Sequence, residues 1–396
     1  MALVGILLFI AALLFSVMVH EFGHYFFAKR YGMKVTEFFL GFGRRIWSTQ
    51  RGETEFGVKA IPAGGYCRIE GMTVHDHMPA GEEGRAFVIA STRRKLFVLG
   101  AGSFNHFVLG FVMIFIMLAG VGAQSMSAKI KEIVPCVSST LSCSQSDPVS
   151  PSKIAGLKAG DTIIAINGRK TTTNNFQPDL KQIANKSGQE FTFTVKRGSE
   201  IIDLKVIPVN RTIQGYTYTF VGFVAEKATY RMPILPAIKG SGAITWYMVK
   251  ESFNSLIKLP NMVPKLVRET FGNETRDPSG PVGVVGVAKA SSDIVTSNSL
   301  PITSQLALFL LMIASLNIFV GIFNLLPLLP LDGGHMAIAT LDAIRYQIAR
   351  IRGREKPEPI DINRFAPITM VVLTLLIALS VLLLIADIVN PVSLNL

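Results

Sequence analysis

Apolar residues gather in four long blocks, at 2–28, 96–120, 304–328 and 367–389, separated by polar stretches. About 20 helical residues cross a hydrocarbon core of roughly 30 Å, so each block predicts a transmembrane helix. Between the first two blocks, segments 37–48, 53–60 and 66–70 carry aromatic and β-branched residues punctuated by Gly-containing turns, which predicts a hairpin or small sheet. Its apolar positions Phe38, Phe39, Phe42 and Ile61 suit either a membrane-associated sheet or a surface hairpin. His75, Asp76 and His77 follow in a polar stretch and read as loop residues.

Between the second and third blocks the pattern changes twice. Residues 122–228 read as one α+β domain. It has a strand near 129–134, a Ser/Pro-rich insertion at 138–152, a strand at 162–166 closed by Asn167-Gly168, a helix at 176–186, and strands at 190–196 and 201–208. Residues 229–303 then show helical spacing over 234–271, with Trp246, Tyr247 and Phe253 suited to a membrane interface. Pro260 and Pro264 should break that run, giving amphipathic helices on the bilayer surface. The run from Gly280 to Gly286 holds too much glycine for a stable helix. It predicts an extended segment near an active site, with Gly280, Pro281, Val282 and Gly283 as candidate substrate-binding positions.

Composition agrees with a membrane protein, since 49% of residues are hydrophobic and 17% charged. The net charge of +12 is dispersed, which excludes the dense basic patch of a nucleic-acid binder. Twelve Lys or Arg lie in 29–95, and Arg345, Arg350, Arg352, Arg354, Lys356 and Arg364 lie in the last connection. By the positive-inside rule, 31–95 and 336–366 are cytoplasmic, while the N-terminus and 122–303 are extracytoplasmic. The first block lacks a basic n-region and a small-residue cleavage site, so it reads as retained. Cys136 and Cys143 are close enough to close a small disulfide loop, and the sequence leaves open whether they do; Cys67 reads as reduced.

Chemistry enters with His20-Glu21-Phe22-Gly23-His24 at the end of the first block. On a helix, positions i and i+4 share a face, so both imidazoles can grip one metal ion while Glu21 reaches toward its water. Ionisable groups in a membrane segment cost roughly 2.5–3.5 kcal/mol each at the helix centre, and a metal compensates them. A catalytic zinc usually takes three protein ligands. Asp332 is the candidate third, at the end of the third block within the run from Asn324 to His335. Pro327 and Pro330 interrupt helical bonding there, and Gly333-Gly334 should permit unusual backbone angles that turn the carboxylate inward. Ala2 to Val19 spans about 27 Å of helix, which puts both motifs at the cytoplasmic boundary. A scaffold with a degenerate motif and a metal transporter are the rival readings, and chelator-sensitive cleavage of a membrane peptide separates them from a protease.

The HExxH in the first helix, the NxxPxxPLDGG run at 324–334 and the element Gly156-Leu157-Lys158-Ala159-Gly160-Asp161 before 162–170 together resemble the site-2 protease family of intramembrane zinc metalloproteases. The similarity runs over the whole chain and is strongest to bacterial members with one PDZ domain, particularly the actinobacterial branch. Pro330 stands three residues after Pro327 rather than the commoner two, and Ser103 replaces a usual proline. The resemblance implies a polytopic α-helical membrane protein of the bacterial cell membrane. Its parts would be a first transmembrane helix at 1–30, a cytoplasmic loop with a β-hairpin or sheet at 31–95, a second helix at 96–121, an extracytoplasmic PDZ domain at 122–228, amphipathic helices and the Gly-rich segment at 229–303, a third helix at 304–335, a cytoplasmic loop at 336–366 and a fourth helix at 367–390. It further implies zinc held by His20, His24 and Asp332, with Glu21 as general base, and Asn324 and Asn105 near the substrate; His106 reads as a packed polar residue. The implied substrates are single-pass membrane proteins, namely anti-sigma factors and remnant signal peptides. The PDZ domain would either read a substrate tail or act as a size filter.

Overall fold

The computed structural model describes residues 2–73, 76, 78–140, 142–213, 216–272, 274–277, 279–355 and 357–392. His75, His77 and Lys356 lie outside the described residues. The chain forms two compact units, Met1–Ala119 with Pro233–Leu396, and Gly120–Met232.

The first unit begins with α1 (Ala2–Arg30), continues through β1 (Val35–Arg51) and β2 (Thr54–Ile69), and reaches α2 (Thr92–Phe115), which ends in a π-turn over 116–121. The strands bend back on themselves, so that Phe38 is flanked by Cys67 on one side and Phe56 on the other, while Trp47 meets Val58. Gly41 makes the bend possible: its φ is +86°, and a Cβ there would stand 2.7 Å from the Ile61 carbonyl oxygen. Glu53, at the turn between the strands, pairs with Lys29 at the end of α1 and accepts a 2.6 Å hydrogen bond from Arg85. Arg85 and Lys29 together hold its carboxyl down to about 2, against an opposing push from burial.

The second unit is built from β3 (Ala123–Ile133), α3 (Pro151–Ile154), β4 (Thr162–Ile166), β5 (Arg169–Lys170), α4 (Gln177–Leu180), β6 (Phe191–Arg197), β7 (Glu200–Val206), β8 (Val209–Ile213), β9 (Tyr216–Phe220) and β10 (Phe223–Tyr230). The main sheet runs β10-β3-β4-β6-β7, with β5 on β4, and β8 and β9 form a separate hairpin. Ile130, Ile163, Ile166, Phe176, Phe193 and Val195 fill its core. The helix expected at 176–186 is only one turn. Phe176, Leu180 and Ile183 keep helical spacing toward the core, but Asn185 takes φ of +62° and ends the run. Strand β10, which pairs with β3, lies beyond the last strand expected from sequence. Buried Asp161 is held by both arms of Arg197 at 2.8 Å and by the Lys158 amide at 2.8 Å, so its carboxyl lies below its ordinary range although burial pushes it up. Cys136 and Cys143 are disulfide-bonded, Cα to Cα 5.9 Å.

The chain returns to the first unit as α5 (Ile234–Phe271), α6 (Val284–Thr296), α7 (Ile302–Asn324), α8 (Asp332–Ile351) and α9 (Ala366–Val389). Four stretches, Leu3–Arg30, Thr92–Val121, Ile302–Asn324 and Ile362–Val389, are long and apolar enough to cross a membrane. Three expectations need correction. α5 runs unbroken through Pro260 and Pro264; the two prolines are one turn apart, so their missing N–H groups fall on one face and cost neighbouring bonds rather than the whole helix. Residues 284–286 are helical, because α6 is capped by Asp387 of α9, whose Oδ2 accepts from the Gly286 amide at 2.7 Å. Residues 336–351, expected as part of a cytoplasmic loop, and 332–335, expected as the end of the third transmembrane helix, together form the separate helix α8.

Gly280, Pro281, Val282 and Gly283 therefore do not lie beside the HExxH end of α1. A Cβ on Gly283 would meet Asp387 Oδ2 at 2.7 Å, near the C-terminal end of α9, and Ser291 of α6 donates a 2.8 Å bond to the Gly5 carbonyl. Gly5 precedes His20 by about four helical turns, or ~22 Å. Arg276 locks this corner: it donates to the Pro281 carbonyl at 2.7 Å and to Asp387 Oδ1 at 3.3 Å, with both side chains almost wholly buried.

Removing one member of a buried pair leaves an uncompensated charge. Asp387→Ala should thus destabilise the first unit by about 3–5 kcal/mol, read as a lowered thermal midpoint of the purified protein in detergent; an unchanged midpoint contradicts this. Because Glu53 has its pKa lowered on folding, its contribution is present above the unfolded value of about 4.3 and lost as pH falls toward about 2. Hydrogen exchange over 54–58 should accelerate across that window in the wild type and lose the pH step in Glu53→Gln.

Candidate metal centre

Helix α1 carries His20 and His24 one turn apart on one face, both more than nine-tenths buried. The His24 ring is oriented by a 2.8 Å hydrogen bond between Nδ1 and the Val98 carbonyl of α2. A carbonyl only accepts, so Nδ1 carries the proton and Nε2 presents its lone pair. That Nε2 lies 3.1 Å from His20 Nε2, and each of the two lies 3.3 Å from Asp332 Oδ2.

Asp332 arrives from a different direction than its sequence suggests. The third apolar helix stops at Asn324, a tight turn occupies 325–331, and Asp332 is the first residue of α8. Its carboxylate therefore sits at a helix N-terminus, where the macrodipole favours negative charge, rather than at an opposing C-terminus. Gly333 and Gly334 serve this turn through their lack of a side chain. Neither has a φ in the left-handed region. A Cβ on Gly333 would stand 2.3 Å from the Leu325 and Leu326 carbonyl oxygens, and one on Gly334 would stand 2.6 Å from the Leu329 nitrogen.

The donor set fits a divalent cation. Among the described residues, His20, His24 and Asp332 form the group able to offer three ligand atoms within 4.8 Å of one another. Tetrahedral zinc with bonds near 2.0–2.1 Å has ligand-to-ligand edges of about 3.3 Å, which matches the spacing here. Asp332 Oδ2 is buried without a hydrogen-bond partner, and a lone acceptor facing the lone pair of His24 Nε2 beside a second imidazole nitrogen is costly unless a cation stands between them.

Two glycines given no role of their own by the sequence pattern let α1 and α2 cross closely enough to build this. A Cβ on Gly102 would lie 2.6 Å from both His20 Nδ1 and His24 Nε2, and one on Gly23 would lie 2.7 Å from the Ala101 carbonyl oxygen. Their signal was glycine in the interior of apolar helices, where it usually marks a packing demand. Asn105 is also engaged in this crossing: its amide donates to the Val19 carbonyl at 2.7 Å, so its visible contact is with α1. Asn324 is half-buried at the end of α7. Glu21 sits next to strand β2, with the backbone of Cys67 in hydrogen-bonding reach of its carboxyl and Gly65 so near that a Cβ would stand 3.4 Å from Glu21 Cγ.

Comparison with known proteins agrees with the chemistry of this cluster. The family model described as peptidase family M50 matches residues 8–357. The chain is 33% identical to the zinc metalloprotease Rip1 of Mycobacterium tuberculosis, over 100% of this chain and 99% of the relative. It is 32% identical to Rip1 of Mycolicibacterium smegmatis, with 98% of both chains covered, and 27% identical to the metalloprotease MmpA of Caulobacter vibrioides, over 86% of this chain and 88% of that one. With a family match across most of its length, a paired-histidine and aspartate cluster of zinc dimensions and four helices long and apolar enough to cross a membrane, the chain belongs to peptidase family M50, the site-2 proteases, and is a multi-pass membrane zinc metalloprotease.

Proposed function

We propose that His20, His24 and Asp332 hold the zinc ion and that Glu21 is the general base of an intramembrane endopeptidase acting on single-pass membrane proteins, with anti-sigma factors and remnant signal peptides as the substrate class. The observation that carries the reading is the mutual spacing of three donor atoms from α1 and α8 at 3.1–3.3 Å. When bound, zinc supplies Lewis-acid chemistry, acidifying water and polarising the peptide carbonyl. Glu21, one position from His20 on the same helix, takes the proton of the attacking water and delivers it to the leaving amine. Asn324, at the end of α7, holds the substrate backbone, and Asn105 braces α1 against α2 while remaining at the margin of the site.

A transmembrane substrate hides its carbonyls in helical hydrogen bonds and must be opened before cleavage. Segment 61–69 of β2 supports such a step, since it runs past Glu21 and can accept an extended peptide as an added strand. The basic residues of 31–95 and 336–366 favour a cytoplasmic side for the metal centre and an extracytoplasmic side for the N-terminus and the 120–232 unit. On this reading that strand-rich unit is a PDZ domain that reads substrate tails or screens substrates by size.

Three outcomes are expected. Glu21→Gln retains one zinc per chain yet cleaves a membrane-embedded peptide about 10²–10⁴-fold more slowly; undiminished turnover removes Glu21 from the mechanism. Chelation of the wild type abolishes cleavage and added zinc restores it, with both states followed by metal analysis. Gly102→Ala drives a methyl group into the His pair and should lower zinc content sharply, whereas Gly100→Ala, whose Cβ would meet nothing nearer than 3.8 Å, should not.

A further inference from the structure

His106, read from sequence as a packed polar residue, has an environment that packing alone does not explain. If His20 Nε2 ligates the metal, its proton must reside on Nδ1, and metal-bound histidines as a rule donate that proton to a fixed acceptor. His24 obeys through the Val98 carbonyl. His20 Nδ1 is buried with no hydrogen-bond partner. The neighbouring polar side chain is His106, whose ring centroid lies 5.0 Å from that of His20 with the planes inclined at 39°.

The protonation of His106 follows from the chain of contacts behind it. Ser16 donates its hydroxyl to the Ala12 carbonyl at 2.8 Å, and its oxygen accepts from Asn317 Nδ2 at 3.0 Å. The same Asn317 Nδ2 donates to the Ile313 carbonyl at 2.8 Å, which fixes the amide so that Oδ1 points at His106 Nδ1, 2.8 Å away. An amide oxygen only accepts, so His106 carries its hydrogen on Nδ1 and leaves Nε2 bare. Ser16, His106 and Asn317 are each at most 3% exposed, so solvent does not serve these groups. Gly102, one turn before His106 on α2, and Gly321 on α7, where a Cβ would stand 3.1 Å from His106 Cβ, leave the space for this arrangement.

We propose that His106 is a positioning residue for the metal centre. In the structure the two rings lie close without a hydrogen bond between them. With the metal bound, the bare Nε2 of His106 would be the acceptor for the Nδ1–H of His20, and the Asn317–Ser16 relay holds it in the accepting tautomer, so three membrane helices would jointly orient one zinc ligand. This rests on His20 being a ligand, as read above. The test is zinc affinity of the full-length protein in detergent, measured by competition with a chromophoric chelator. His106→Leu should bind zinc about 10–100-fold more weakly, while His106→Gln, which keeps a side-chain acceptor, should recover most of that loss. A folded His106→Leu with wild-type affinity overturns the proposal. Undiminished zinc binding by His20→Ala would instead sink the ligand assignment, which separates the two failures. Should His106→Leu not fold, ¹⁵N histidine spectra of the zinc-loaded wild type decide: His106 is expected neutral with its proton on Nδ1 and a hydrogen-bonded Nε2, and a proton on Nε2 refutes the proposal.

Discussion

Three donor atoms meeting at about one tetrahedral edge from each other, in the midst of apolar helices, form the constraint around which the first unit is arranged. Two imidazoles and a carboxylate brought together in a membrane segment are costly unless a cation joins them. Every nearby irregularity serves that meeting. Helix α7 stops at Asn324, the 325–331 turn reverses the chain, and α8 begins on the ligand itself. The crossing of α1 on α2 is so close that Gly23 and Gly102 have no room for a methyl group. On the proposed ligand assignment, zinc would be as much a tertiary contact as a cofactor, since it would join residues more than 300 positions apart.

The polar groups around the centre are arranged by the same economy of the apolar interior. An unpaired donor or acceptor has no water to turn to there, which favours a protein partner or a metal. His24 uses a backbone carbonyl of α2, Asn105 a backbone carbonyl of α1, and His106 an amide of α7. The result couples α1, α2 and α7 through hydrogen bonds that converge on the metal centre. The Arg276–Asp387 pair does similar work at the far end of α9, where it holds the glycine-rich corner and the start of α6.

Strand β2 runs beside the metal centre. Its segment 61–69 is bordered by β1 on one side and approaches Glu21 through Gly65 and Cys67. An extended peptide laid along it would pass Glu21, as the proposed mechanism requires, and would find backbone hydrogen-bonding partners there. Glu53, Lys29 and Arg85 fasten the turn of this sheet to the end of α1, so sheet and HExxH helix are positioned as one piece.

Local sequence patterns were enough to identify the apolar helices, the HExxH geometry and Asp332 as a partner, because helical periodicity and the cost of intramembrane charge are written in consecutive residues. The same patterns misjudged the conformation of 284–286, the effect of Pro260 and Pro264, and the loop expected at 336–351. Glycine and proline report what a segment disfavours in isolation, whereas the Asp387 cap and the packing around α5 and α8 come from remote parts of the chain. Only the folded structure decided that Asp332 opens a helix rather than closing one, that Gly333 and Gly334 are needed for space rather than for backbone angle, and that the His106 ring lies against that of His20. Each of these depends on which surfaces of α1, α2, α7 and α8 meet, and no single helix carries that information.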